Sequence, residues 1–232
     1  MRARRAIPME LCERIQLIRH RLELHYGTPI LRPSGDPIGE LVSTILSQHT
    51  TDRSSGAAFA ALCQRYPSWD AVREAPVEEL AETIRAAGLP TQKARTIQSA
   101  LNDVAVEPLT ELPSMSVAEA RTRLTAIRGV GDKTASCVLL FAMGMPAQPV
   151  DTHIERVSKR LGIANGESTA TGIQNVIEHC LPSDGQTMYS FHIDMVRHGR
   201  EICQARQPRC SMCMLTGLCD YYARTTNVTT DA

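Results

Sequence analysis

Apolar residues recur at steps of three and four along most of this chain, the spacing of helices that bury one face. Ile38, Leu41, Val42, Ile45 and Leu46 mark one such face. Val77, Leu80 and Ile84 mark another, with Pro76 near its start and Gly88 at its end, residues suited to those two boundaries. Ile97, Leu101 and Val104 repeat the spacing. Ser116 and Glu119 stand as a capping box ahead of Leu124 and Ile127, and a further helix is expected from about Lys133 to Met143. Ile154, Val157 and Leu161 continue the pattern, then Ile173, Val176 and Ile177. No segment alternates convincingly as a strand would, and there is neither a repeat nor a low-complexity tract. The chain therefore reads as all-α, with its Thr-rich last dozen residues as a frayed end and 223–232 as a flexible tail.

With 232 residues, 43% of them hydrophobic, the chain can build one large domain or two small ones around a real core. Its 25 basic and 25 acidic residues cancel, so the whole-molecule field does not advertise a polyanionic partner. The charges are nonetheless unevenly placed. Residues 1–21 hold six Arg against two Glu, and Arg197, Arg200, Arg206 and Arg209 face only Glu201 between Arg197 and Cys213. Such patches can meet phosphate, although a solvated surface is the commoner fate of a charge run. No run of about 18 apolar residues occurs, so no membrane-spanning segment is expected. The basic start MRARRAIPMELCERIQ lacks an apolar stretch behind it and turns acidic at once, against secretory and transit peptides. A cytoplasmic location is expected.

Cysteine usage changes the picture. Cys203, Cys210, Cys213 and Cys219 follow one another as C-x6-C-x2-C-x5-C within 17 residues, so that four thiolates can converge on one inorganic centre. Soft sulfur ligands suit a [4Fe–4S] cluster or a structural zinc. The wide first gap exceeds the roughly two to four residues usual in each half of a zinc site, which favours iron–sulfur, while zinc and a pair of disulfides stay open on spacing alone. Disulfides are rare in a reducing compartment, which strengthens the metal reading. Cys12, Cys63, Cys137 and Cys180 lie in apolar periodic segments and read as core residues.

Between two expected helices lies Ile127-Arg128-Gly129-Val130-Gly131-Asp132-Lys133-Thr134. Two glycines one apart in so short a connection imply a hairpin with unusual backbone angles, and they let the backbone approach another molecule closely. Amide groups at the head of the second helix can hold a phosphate without reading base sequence. Alone, a GxG is equally compatible with an ordinary turn. Eighteen residues past Lys133 comes Asp151, in Val150-Asp151-Thr152-His153-Ile154, at the expected start of the next helix. Asp is a favoured N-cap. Paired with Lys133, it also offers a carboxylate base or cation stabiliser beside an amine nucleophile.

In combination these motifs resemble the endonuclease III branch of the helix-hairpin-helix DNA glycosylases, over about Gly27 to Cys219. The resemblance rests on Gly129-Val130-Gly131 with Lys133, on Val150-Asp151-Thr152-His153 and on the four-cysteine pattern, in the family's order. It implies a two-lobed fold: a helical barrel-like domain at 29–140 carrying the hairpin, and a discontinuous [4Fe–4S] cluster domain from 1–28 and 141–222, with DNA between them. It implies base excision repair of duplex DNA containing damaged bases or abasic sites, a preference for oxidised pyrimidines, a cluster on the four cysteines, and a monomer working on the nucleoid. Lys133 would attack C1′ of an extruded nucleotide and form a Schiff base leading to β-elimination, while Asp151 takes a proton and stabilises positive charge on the sugar. Extrusion is needed because C1′ is shielded in stacked DNA.

The resemblance extends to DNA contacts at Gly129, Val130, Gly131, Thr134 and His153. Leu46-Ser47-Gln48-His49-Thr50-Thr51-Asp52 resembles the segment that fills the gap left by the base, and Leu89 resembles the wedge. The family's glutamine commonly stands one place later than Gln48, where this chain has His49, so either residue is the candidate plug. Pro90 follows the wedge in place of a usual aromatic or polar residue, and Asp132 stands where a basic residue often precedes the lysine. Arg206 and Arg209, in the loop 204–209, would lie on the DNA backbone. Two rival readings stay open. One is a glycosylase for another lesion or mismatch; adenine removal fits poorly, because Lys133 is present and about a dozen residues follow Cys219. The other is a non-catalytic DNA-binding or redox protein using the hairpin and metal loop as scaffold, which Asp132 and the neutral charge favour.

Overall fold

The computed structural model describes residues 7–227, and among them no strand occurs. The helices are α1 (Met9–Tyr26), α2 (Pro37–Ser47), α3 (Asp52–Arg65), α4 (Trp69–Glu74), α5 (Val77–Thr83), α6 (Pro90–Val106), α7 (Val117–Thr125), α8 (Asp132–Cys137), α9 (Thr152–Arg160), α10 (Ala170–Cys180), α11 (Gly185–Glu201) and α12 (Asp220–Asn227). A 3₁₀ turn at Arg85–Ala87 links α5 to α6, and α8 continues into a wider π turn at Val138–Ala142. Two compact units result, Met1–Leu31 with Pro146–Ala232, and Arg32–Met145. Among the described residues no helix is long and apolar enough to cross a membrane.

In the unit Arg32–Met145, α2 is the central helix, packed against α3, α6 and α8. Asp36 caps it by accepting from the Gly39 amide at 2.8 Å, and Pro37 supplies a preset φ in the first turn. Leu41, Val42, Ile45 and Leu46 are all fully buried. Each contributes about 1.5–3 kcal/mol through burial, and a Leu41→Ala cavity would cost about 2–5 kcal/mol. The α7 capping box forms as expected: the Glu119 amide donates to Ser116 Oγ at 3.3 Å, and the Ser116 amide donates to Glu119 Oε2 at 3.0 Å. The expected 133–143 helix begins at Asp132 and changes pitch at Val138.

In the other unit, α1 presents Ile15, Ile18 and Leu22, all fully buried, where it packs on α10 and α11. Cys12 and Cys180 are joined as a disulfide between α1 and α10. This corrects the expectation that both are simple core thiols; helix packing brings together two residues 168 apart in sequence. Cys63 is exposed, another correction, because it follows Leu62 on α3 and points off that helix's buried stripe. Cys137 is buried as expected. The loose end expected from residue 223 is also corrected: α12 runs through Asn227, and Arg14 of α1 ion-pairs with Asp220 at its start. Residues 228–232 of that expected tail, and part of the Arg-rich start, lie outside the described residues.

Candidate functional site

The GVG connection is a tight turn between α7 and α8. Gly129 sits at φ +84°, and a Cβ there would lie 2.7 Å from Thr96 Cγ2 on α6, so glycine is needed both for backbone angle and for space. The Val130 amide donates to the Ile127 carbonyl at 3.1 Å, and Ala135 to the Gly131 carbonyl at 2.9 Å, closing the turn into the first turn of α8. Arg128 is tied back to α6, its amide and guanidinium bonding Asp103 at 3.0 and 2.9 Å. The Val130 and Thr134 side chains are buried. Any contact Thr134 makes with a nucleic acid backbone therefore runs through its main chain, while Val130, its amide bonded to Ile127, serves the turn itself.

Lys133 stands in the first turn of α8, one turn before Cys137. Facing it from α2 are Glu40 and Thr44, also one turn apart, and Thr44 Oγ1 donates to Glu40 Oε1 at 3.2 Å. Burial pushes the Glu40 carboxyl up to about 7, against the lowering effects of the Thr44 hydroxyl and the positive charge of Lys133. Burial likewise pushes the Cys137 thiol up to about 11, against the lowering effect of the nearby Lys133 charge. Lys133 thus has a buried carboxyl and a buried thiol within electrostatic reach. Glu40 is the site residue that sequence reasoning missed; its signal is a carboxylate embedded in the apolar run of α2.

Gln48, His49 and Leu89 belong to the same unit. Gln48 ends α2 in an extended conformation and is half-buried, and His49 is exposed. Leu89 is 54% exposed, unusual for a large apolar side chain between a 3₁₀ turn and a helix. His49 and Leu89, at φ +54° and +48°, are the non-glycine residues with left-handed backbone among those described.

Asp151 belongs to the other unit, where it caps α9. Its Oδ1 accepts from the His153 amide at 2.9 Å and the Ile154 amide at 2.8 Å. His153 packs where Gly199 of α11 comes close, and its Nδ1 lies 3.1 Å from Arg156 Nη2. A guanidinium only donates, so in this contact Nδ1 is the accepting atom. Gln148 and Pro149, leading into Asp151, are anchored by His192 Nδ1, 3.1 Å from the Pro149 carbonyl oxygen, and by the Gln148 amide donating to Glu178 at 2.7 Å.

Cys203, Cys210, Cys213 and Cys219 line one small cavity in that unit, with Arg160, His198, Ile202, Tyr221 and Tyr222 around them. Backbone amides donate to the sulfurs, Leu215 to Cys213 and Tyr222 to Cys219, each at 3.4 Å. Arg160 Nη1 lies 3.3 Å from Cys203 Sγ, while its guanidinium also donates to the Gln204 and Ala205 carbonyls at 2.7 and 2.8 Å. Four soft ligands lining one cavity, with N–H donors at three of the sulfurs, have the chemistry of a thiolate-bound centre, although among the described residues no three of them are placed to hold a single metal ion. Arg206 and Arg209 are exposed on the loop that these contacts shape.

Residues 42–182 match the HhH-GPD superfamily of base excision DNA repair proteins. Endonuclease III of Sulfolobus acidocaldarius is 33% identical over 78% of this chain and 81% of its own, and that of Synechocystis sp. is 35% identical over 79% and 80%. The chain belongs to the endonuclease III family. Consistent with that membership, the structure of a trapped endonuclease III–DNA covalent intermediate superposes with a TM-score of 0.79 at 29% identity, covering 93% of this chain and 98% of that one. Within the family frame, Lys133 and the GVG turn lie in one unit and Asp151 with the four cysteines in the other.

Proposed function

We propose that this protein is a bifunctional DNA glycosylase and abasic-site lyase that removes oxidised pyrimidines from duplex DNA, with Lys133 as nucleophile. The observation that carries the reading is the placement of Lys133 immediately after the GVG turn, against Glu40 and Cys137, in a chain of the endonuclease III family. The neutral Lys133 amine attacks C1′ of an extruded nucleotide. The C1′–N bond breaks, and the base leaves with the electron pair and is protonated. The C1′ adduct loses its ammonium proton, and the C1′–O4′ bond then breaks with O4′ taking up a proton, leaving a Schiff base at Nζ; removal of a C2′ proton then expels the 3′ phosphate by β-elimination. Asp151, its carboxylate oriented by two amides, stabilises the cationic sugar. The glycine amides of the GVG turn and the exposed Arg206 and Arg209 hold the phosphate backbone, and Gln48 or His49 with Leu89 fills the stack vacated by the base.

We assign a [4Fe–4S] cluster to the four cysteine sulfurs, a reading supported by their soft-donor chemistry and by the N–H donors at Cys203, Cys213 and Cys219. Bound there it would be structural, holding the 204–209 loop in shape, and this chain's part is to supply four thiolates and to brace that loop through Arg160. Iron stoichiometry in the purified protein separates it from zinc. The decisive test of the function is borohydride trapping on duplexes carrying thymine glycol or a preformed abasic site. A covalent adduct with wild type and none with Lys133→Ala, at retained DNA affinity, supports the mechanism. Base release without trapping would make the protein monofunctional, and an unchanged Lys133→Ala would remove the lysine from the chemistry.

A further inference from the structure

Two exposed segments assigned above to the DNA stack share one buried ion. Lys93 lies in the second turn of α6 with only 4% of its surface exposed, and its Nζ donates to the Leu46 carbonyl at 2.7 Å and to the Ala87 carbonyl at 2.8 Å. Leu46 lies two residues before Gln48 and three before His49; Ala87 lies two before Leu89. One ammonium group therefore ties together the peptide groups from which both segments spring. Those segments contain His49 and Leu89, left-handed positions that a non-glycine residue adopts only where surrounding structure imposes them.

We propose that Lys93 is a positioning residue that locks the gap-filling segment at Gln48-His49 and the Leu89 wedge into one rigid insertion unit, so that the two enter the DNA stack together. The proposal rests on the glycosylase reading above. Its physical basis is the ending of two helical segments. The last carbonyls of a helix lack intrahelical partners, and in a buried place each must find a donor. At Leu46 and Ala87 that donor is a cation, the strongest kind of partner for a carbonyl. Burial lowers the Lys93 pKa, so holding the ion here has a cost that the two carbonyls offset. A leucine or methionine at position 93 would match the apolar stripe of Ile97 and Leu101 without that cost, which makes the lysine informative. Lys93 touches neither Lys133 nor a substrate atom; it acts through the segments it holds.

The test compares two rates in one preparation. The first is single-turnover release of thymine glycol from duplex DNA, which requires an intact base to be unstacked. The second is borohydride trapping on a duplex with a preformed abasic site, where no base remains to be extruded and insertion matters less. Lys93→Met keeps the apolar stem and removes the donor. The expected result is base release slowed about tenfold or more, with trapping on the abasic duplex within about twofold of wild type. Lys93→Arg restores donors with altered reach and is expected between the two; it carries the comparison if Lys93→Met fails to fold. Equal slowing of both reactions by either variant, or no change in either, overturns the clamp. Failure of wild type in both reactions overturns instead the glycosylase reading beneath it.

Discussion

Replacing Gly129 by alanine adds a methyl group where the hairpin has neither the backbone freedom nor the room for one. At φ +84° an L-residue is disfavoured by about 1–2 kcal/mol. The new Cβ would also stand 2.7 Å from Thr96 Cγ2, and Thr96 cannot turn freely because its Oγ1 donates to the Gln92 carbonyl at 3.0 Å. Overpacking of this kind costs about 1–3 kcal/mol, nearer the lower end here because Gly129 is exposed and Thr96 half-buried. The expected loss is about 2–4 kcal/mol, a large part of the roughly 5–15 kcal/mol that holds a typical domain together. Urea unfolding followed by circular dichroism measures it. Thr96→Ser in the Gly129→Ala background removes the clashing methyl and keeps the hydroxyl, so it should return about 1 kcal/mol while the backbone cost stays. A Gly129→Ala cost below about 0.5 kcal/mol, or no recovery with Thr96→Ser, would refute the account of why glycine is here.

Asp151→Asn keeps an N-cap oxygen and should change stability by less than about 0.5 kcal/mol, whereas Asp151→Ala should cost about 1 kcal/mol. Both should slow base release by about a hundredfold or more; near-wild-type turnover in Asp151→Asn would assign the residue to capping alone. The raised Glu40 pKa makes a signed prediction. A carboxyl pushed from 4.5 to about 7 stabilises the fold when protonated, and that contribution is lost as pH rises towards 7. Glu40→Gln should therefore match wild type near pH 4.5 and gain on it by on the order of 1–3 kcal/mol at pH 8, in paired urea titrations; parallel curves would reject the buried carboxyl. Reducing Cys12–Cys180, or substituting Cys12→Ser, should lower unfolding stability by about 2–5 kcal/mol, and equal midpoints with and without reductant would show that the bridge does not form.

How much of this was visible beforehand depended on what each helix buries. α2, α6 and α9 bury branched aliphatic residues at helical spacing, so their periodicity named them in advance. α3 buries Ser55, Ala58 and Leu62, residues too small or polar to stand out. α11 is the longer omission: along with Met188, Phe191 and Met195 it buries Ser190, His192, Asp194 and His198, so its inward face reads as polar until the partners are in place. The disulfide was hidden for another reason, because pairing Cys12 with Cys180 depends on α1 and α10 being neighbours, which no local pattern encodes.

The site divides along the same line. Residues whose chemistry lies in their own local setting could be read directly: glycine at a left-handed turn, a carboxylate at a helix start, thiols at ligand spacing. Residues that act by being buried against another helix could not. Glu40 and Lys93 were each passed over as single charges within an apolar stripe, yet a charge in such a stripe is the costly case, held only by specific partners. For Lys93 those partners are two carbonyls that no helix satisfies; for Glu40 they are Thr44 and the positive charge of Lys133. A charged residue that shares a helix face with buried apolar side chains should therefore be weighed as a site residue before it is set aside as surface. In this chain both such residues lie in the unit that carries Lys133.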